Sequence, residues 1–181
     1  MNKILILVRH GQSEKAEHLM SEDNYTLTLL GRTGMRYAGN MLRDMPRITS
    51  LYTSPLLRAK ESADIISKPL ILIPRVEPLL TDLGTSESWI SIQNRMREFA
   101  ERESIERISL GGGITVAVTH NYPITSIVGH FLNVDERTMR TVEVAPCSFT
   151  VIDFGKSGSA AILAVGNTTI TESKLGEYWT R

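Results

Sequence analysis

Apolar positions follow two rhythms along this chain. Ile4 to Val8 is an unbroken apolar run of strand length, and Ile114 to Val118 within "ITVAVTH" predicts a second such strand. Runs without alternation fit strands covered on both faces. Ile48 to Thr53 and Leu70 to Ile73 predict shorter strands, the latter ended by Pro74. Between them the pattern turns helical. Thr28 is placed to cap a helix to about Arg43, with Leu29, Met35, Ala38 and Leu42 on its apolar side. Ser54-Pro55 predicts an N-cap with proline at the first helical position, opening a helix to about Ser67. Ser88 to about Arg107 predicts a charged amphipathic helix. Its Glu98/Arg102 and Glu103/Arg107 pairs have the favourable i, i+4 order and are read as its solvated face. Pro123 restarts a helix reaching about Leu132, and "SFTVIDF" and "AAILAVG" predict a hairpin around Gly155-Lys156-Ser157-Gly158.

Gln12 to Tyr25 is polar and carries no assignment, and Val76 to Ser88 reads as a loop. Strands alternating with helices predict an α/β fold: a three-layer α/β/α sandwich with a mostly parallel central sheet and an antiparallel piece near the C-terminus. No repeat, low-complexity segment or linker interrupts the 181 residues, so residues 1–181 are expected to form a single domain.

Composition narrows the function. Twenty basic and 20 acidic residues give zero net charge, which argues against a nucleic-acid partner. The single cysteine, Cys147, excludes an internal disulfide and reads as core filler rather than as a nucleophile. No apolar stretch is long enough to span a membrane. The run after Lys3 ends in Arg9-His10 after five residues, too short for a signal peptide, so a cytoplasmic protein is expected. A homodimer is compatible with all of this. Gly111-Gly112-Gly113 is no phosphate-binding P-loop, because it precedes its strand and no GK[ST] follows.

In such a sheet, ligands bind outside the carboxyl ends of the strands. The first strand delivers Arg9-His10-Gly11 there. The second delivers Thr53-Ser54 and a helix carrying Arg58 in its first turn, and "ITVAVTH" delivers Thr119-His120 before another helix. Two histidines and two arginines therefore converge beside helix N-termini, which already favour anions. A phosphate dianion suits this group, since the arginine fork bonds two of its oxygens at once.

"RHGQSE" at 9–14, "LTLLGRTGMRYAGNML" at 27–42, "SPLLRAKESA" at 54–63 and "VTHNYPI" at 118–124 together resemble the histidine phosphatase superfamily, in its phosphoglycerate mutase-like branch. The resemblance implies a phosphoglycerate mutase-like fold and assigns His10 as a nucleophile that forms a phosphohistidine. It implies Arg9 and Arg58 as phosphoryl clamps and His120 as a further catalytic donor, with Asn121 among the phosphate-binding candidates. It implies no cofactor. The histidines His10, His18, His120 and His130 show no HxH or HxxxH spacing, so no metal is expected.

Family members usually carry a glutamate general acid in an L-x-E segment. Here the corresponding loop reads "VEPLLTDLGTSESW", and Leu80-Thr81-Asp82 is the nearest match. Asp82 is ranked first, then Glu87, then Glu77. The resemblance also leaves the reaction open between a phosphatase on a small phosphomonoester and a phosphoglycerate mutase. The familiar mutases carry longer insertions and follow RHGxSE with Trp-Asn, where this chain has Lys15-Ala16, so the compact length favours a phosphatase. A non-catalytic phospho-ligand binding protein is the alternative of another class.

Overall fold

The computed structural model describes residues 3–14, 25–109, 112–155 and 160–170. Six strands form one sheet: β1 (Lys3–Arg9), β2 (Ile48–Thr53), β3 (Arg75–Val76), β4 (Gly113–Thr119), β5 (Phe149–Asp153) and β6 (Ala161–Asn167), in the order β3-β2-β4-β1-β5-β6. The strands β3, β2, β4 and β1 are parallel, whereas β5 runs antiparallel to β1 and β6 antiparallel to β5. The sheet is mixed and mostly parallel, as the alternation of elements predicts.

The unbroken run in β1 has a direct physical reason. Ile4, Ile6 and Val8 pack on one face with Met35, Ala38 and Leu42 of α1 (Leu29–Arg43) and Ala59, Ala63 and Ile66 of α2 (Leu57–Leu70). Leu5 and Leu7 pack on the other face with Ile92, Met96 and Phe99 of α3 (Trp89–Ser109) and Ile124 and Ile127 of α4 (Asn121–Leu132). Each of the five is at most 2% exposed, a burial that stabilises the fold by about 1.5–3 kcal/mol per side chain. Register then sets the site. Arg9 pairs with Thr119, and Val118 lies between Val8 and Thr53, so β1, β2 and β4 end at one level. Main-chain bonds continue past those ends: His10 N–H to Thr119 O (3.0 Å), Ser54 N–H to Val118 O (2.9 Å) and Glu77 N–H to Thr53 O (2.8 Å).

Several elements differ from the sequence expectation. Thr28 caps α1 by accepting from Gly31 N–H, but Leu29 is exposed. The buried position one turn before Met35 belongs to Gly31, against which the Gln12 backbone lies. Ser54-Pro55 does not open α2, which starts at Leu57 with Leu56 at the cap and continues through Pro69. Leu70 to Ile73 is no strand. The chain leaves α2 with Ile71 in the left-handed conformation (φ 54°), Ile71 and Ile73 face solvent, and Arg75–Val76 pairs with β2 instead. The charges of α3 are not merely a wet face: Arg102 bonds Glu77, and buried Glu103 accepts from Thr115 Oγ1 at 3.1 Å. Helix α4 begins at Asn121, two residues before Pro123. A short helix, α5 (Glu136–Met139), had no sequence counterpart. The hairpin of β5 and β6 matches its expectation, with residues 156–159 of its turn outside the described residues. Most of Gln12 to Tyr25 lies outside them as well; within it, Ser13 bridges to Leu27. No helix among the described residues is long and apolar enough to cross a membrane.

Candidate active site

The chain turns at the end of β1 under tight constraint. A Cβ on Gly11 would sit 2.7 Å from Gly31 O, and one on Gly31 would sit 2.1 Å from Gln12 O. The turn thus packs backbone to backbone on the start of α1, which only glycine allows on both sides. Gly11 N–H donates to Ser62 Oγ (3.1 Å), and Ser62 donates in turn to Arg58 O (2.7 Å), coupling the turn to α2.

This turn, α2 and β4 bring the four expected residues together. The His10 and His120 rings lie 4.9 Å apart, centroid to centroid. His10 Nδ1 is 2.7 Å from Gly11 O. A carbonyl only accepts, so Nδ1 carries the proton and Nε2 presents its lone pair, which accepts from Arg58 Nε at 3.2 Å. Burial, aided by the Arg58 and Arg9 charges and opposed by the Gly11 bond, lowers the His10 pKa from 6.5 to about 3. His120 is likewise held well below the ordinary histidine value by burial, then by His10 and the neighbouring arginines. Both imidazoles are therefore neutral near pH 7, the state a nitrogen nucleophile needs.

Of the three candidate carboxylates, only Asp82 reaches this group. Its Oδ2 lies 3.1 Å from Arg58 Nη2 and 3.7 Å from His120 Nδ1, and its Oδ1 accepts from Leu83 N–H at 3.0 Å. Burial raises its pKa, outweighing the Leu83 bond and the Arg58 charge. Glu87 is taken by Arg95 at 2.8 Å, and that bond, above all, lowers its pKa. Glu77 caps the single 3-10 turn at Pro78–Leu80 through Leu79 N–H and pairs with Arg102.

Asn121 stands beside His120, but its carboxamide holds a different segment: it accepts from Val144 N–H at 2.8 Å and donates to Val142 O at 3.5 Å. Its side chain thus supports that segment. That same segment holds Arg9, whose Nη1 donates to Glu143 Oε1 (2.5 Å) and to Val144 O.

Two residues that contact this group escaped the sequence reading. Arg95 of α3 grips the acid loop by donating to Asp82 O (3.1 Å) and Leu79 O while pairing with Glu87. Ser54, assigned above as a helix cap, is buried with its Oγ 2.8 Å from His120 Nε2. The sequence carried a signal only for Ser54, which stands at the end of a strand beside the convergent residues.

Two nitrogens of the site, Arg9 Nε and His120 Nδ1, are buried without a hydrogen-bond partner. Burying a polar atom without a partner costs about 1–3 kcal/mol, so a polar ligand that reaches either nitrogen is favoured. An anion carrying several oxygens fits that requirement. Among the described residues, no group of three or more His, Cys, Asp or Glu side chains is arranged to hold a metal ion.

The family model described as histidine phosphatase superfamily (branch 1) matches residues 5–85 and 77–168. A 2,3-bisphosphoglycerate-dependent phosphoglycerate mutase of Thermoplasma acidophilum is 27% identical over 194 positions, covering 94% of this chain and 96% of that protein. The structure of a phosphoglycerate mutase from Bacillus anthracis superposes with a TM-score of 0.78 at 18% identity, covering 97% of this chain and 96% of that one. A mycobacterial glucosyl-3-phosphoglycerate phosphatase bound to VO3 gives 0.77 at 18% identity, covering 91% of this chain and 99% of that one. At such identities the two structures establish a shared fold.

Proposed function

The chain belongs to branch 1 of the histidine phosphatase superfamily, and from that premise we propose that it is a phosphohydrolase acting on a small phosphomonoester through a phosphohistidine intermediate. The observation that carries this is the buried, deprotonated Nε2 of His10, 3.2 Å from Arg58 Nε and with its ring 4.9 Å from that of His120. A phosphoryl group at that nitrogen meets both neighbours. Arg58, whose Nε contacts His10 Nε2, is placed to donate to the phosphoryl oxygens at that nitrogen.

His10 Nε2 then attacks phosphorus as the ester P–O bond breaks. Asp82, whose pKa burial raises toward the protonated form, gives its proton to the leaving oxygen. In the second half, the Asp82 carboxylate takes a proton from water while the water oxygen attacks phosphorus. The P–N bond breaks, and phosphate and His10 are released. The fixed donors stabilise charge on the phosphoryl oxygens in both halves, each removable at a cost of about 10²–10³-fold in rate.

A mutase returns the phosphoryl group to a second hydroxyl, and the Thermoplasma relative bears a mutase name. That relative is nearly matched end to end by this chain, so compact length does not separate the two reactions. The surroundings of the phosphate site favour hydrolysis. A bisphosphorylated acid needs further cations, yet Arg95 is committed to Glu87 and the loop carbonyls, and an acidic residue, Glu143, adjoins Arg9. The deciding experiment is a panel of phosphorylated metabolites, including 3-phosphoglycerate with its bisphosphate, assayed for phosphate release and for isomerisation. Phosphate release on the favoured compound is expected. Isomerisation outrunning release would make the protein a mutase, and binding without either would make it a phospho-ligand binding protein.

A further inference from the structure

Ser54 lies outside the reacting group, yet its hydroxyl decides what His120 can do. The side chain is completely buried, and its Oγ has two polar neighbours: Leu56 N–H, which donates to it at 3.3 Å, and His120 Nε2 at 2.8 Å. A backbone N–H cannot accept. The hydroxyl proton of a buried serine needs an acceptor, and the imidazole nitrogen is the one within reach.

We propose that Ser54 is a positioning residue that donates its proton to His120 Nε2 and thereby fixes His120 as the Nδ1–H tautomer, with that N–H aimed at the phosphoryl group. This inference rests on the phosphohistidine reading above. Three observations converge on it. Nδ1 is the buried atom without a partner, and it faces the space bordered by Asp82 Oδ2 at 3.7 Å and the His10 ring. The imidazole is neutral, held so by burial and by His10 and the arginines, so it carries one proton whose location a neighbour can set. Finally, the backbone of Ser54 is itself fixed to β4 through Val118 O, which keeps its hydroxyl from following the ring.

The opposite tautomer would place a bare lone pair beside the incoming phosphoryl oxygens, which only accept. It would also leave the serine proton unsatisfied. The S-P at 54–55 does not start α2; the helix opens two residues later.

The test uses the full protein with 15N-labelled histidine, the His120 signals being assigned by their loss in His120→Gln. In the wild type, Nε2 is expected at the pyridine-type shift and Nδ1 at the pyrrole-type shift. Ser54→Ala should mix or reverse the tautomers and lower kcat/KM about tenfold, the scale of one hydrogen bond, and Ser54→Thr should restore both readouts. A pyrrole-type Nε2 in the wild type overturns the proposal even if the alanine variant fails to fold. So does Ser54→Ala with the wild-type tautomer, whatever its rate. Substantial activity in His10→Ala would instead remove the phosphohistidine reading and leave the tautomer result standing.

Discussion

Replacing Asp82 by asparagine isolates proton donation from everything else the residue does. The carboxamide oxygen can still accept from Leu83 N–H, so the loop keeps its local bond. What is lost is the Oδ2 contact to Arg58, in a side chain 29% exposed. The Arg58 side of the pair is only 7% exposed, so losing it costs about 1–3 kcal/mol, which for a chain of this size lowers Tm by about 2–12 °C. Catalysis should respond on another scale. A positioned general acid contributes about 10²–10⁴-fold where the leaving group is a poor alkoxide. With p-nitrophenyl phosphate, whose phenolate departs unaided, the loss should stay within about tenfold, since the donors on the phosphoryl group are untouched. The proton is on Asp82 below its raised pKa and is lost as pH rises through it. Wild-type kcat/KM on an alkyl phosphate should therefore fall on the basic side, and Asp82→Asn should lack that limb. The assay is the variant-to-wild-type ratio of kcat/KM on both substrate types, with Glu77→Gln and Glu87→Gln in parallel. Equal ratios for Asp82→Asn, together with a selective alkyl-phosphate loss in one glutamine variant, would transfer the role to that glutamate.

His10→Ala should remain folded, form no acid-labile phosphoenzyme and lose nearly all turnover; substantial residual activity would refute the nucleophile. The same variant tests linkage. The folded protein does not protonate His10 until about pH 3, whereas the unfolded chain does so near 6.5, so stability is lost as pH falls across that window. His10→Ala should show a shallower decline in Tm over the window, and an unchanged slope would count against the buried neutral state. Activity should survive exhaustive EDTA treatment; a loss restored by magnesium, manganese or zinc would overturn the mechanism. Gly31→Ala forces a methyl to within 2.1 Å of Gln12 O. That overpacking should cost about 1–3 kcal/mol and, by moving the turn beside His10, lower kcat about 10²-fold; wild-type Tm and turnover would refute the tight-turn argument.

The residues that could be read from sequence are those whose placement depends on the strand they end. Arg9, His10 and His120 follow apolar runs with no freedom to slip, because β1 is buried on both faces and pairs in register with β4. Asp82 was legible only as one of three carboxylates. The selection comes from Arg95 and Arg102, which lie far along α3 and remove Glu87 and Glu77 by pairing with them. Such pairings depend on how a helix docks, and no local spacing reports it. The failure at Leu70 to Ile73 has the same origin: an apolar run of strand length was a helix end whose Ile71 and Ile73 face outward. Asn121 shows the complementary limit, since proximity to His120 in sequence did not reveal that its carboxamide faces Val142 and Val144.

The main-chain bonds that run past the ends of β1, β2 and β4 have an evolutionary consequence. They join the backbones of His10, Ser54 and Glu77 to Thr119, Val118 and Thr53, so the turn that carries His10 is fixed to the strands of the sheet. The Leu83–Ser88 loop lies outside this frame and adds no strand to the sheet. Substitution there can then alter what the site accepts while the frame is inherited intact. A lineage built on such a frame diversifies in what it accepts far more readily than in what it does.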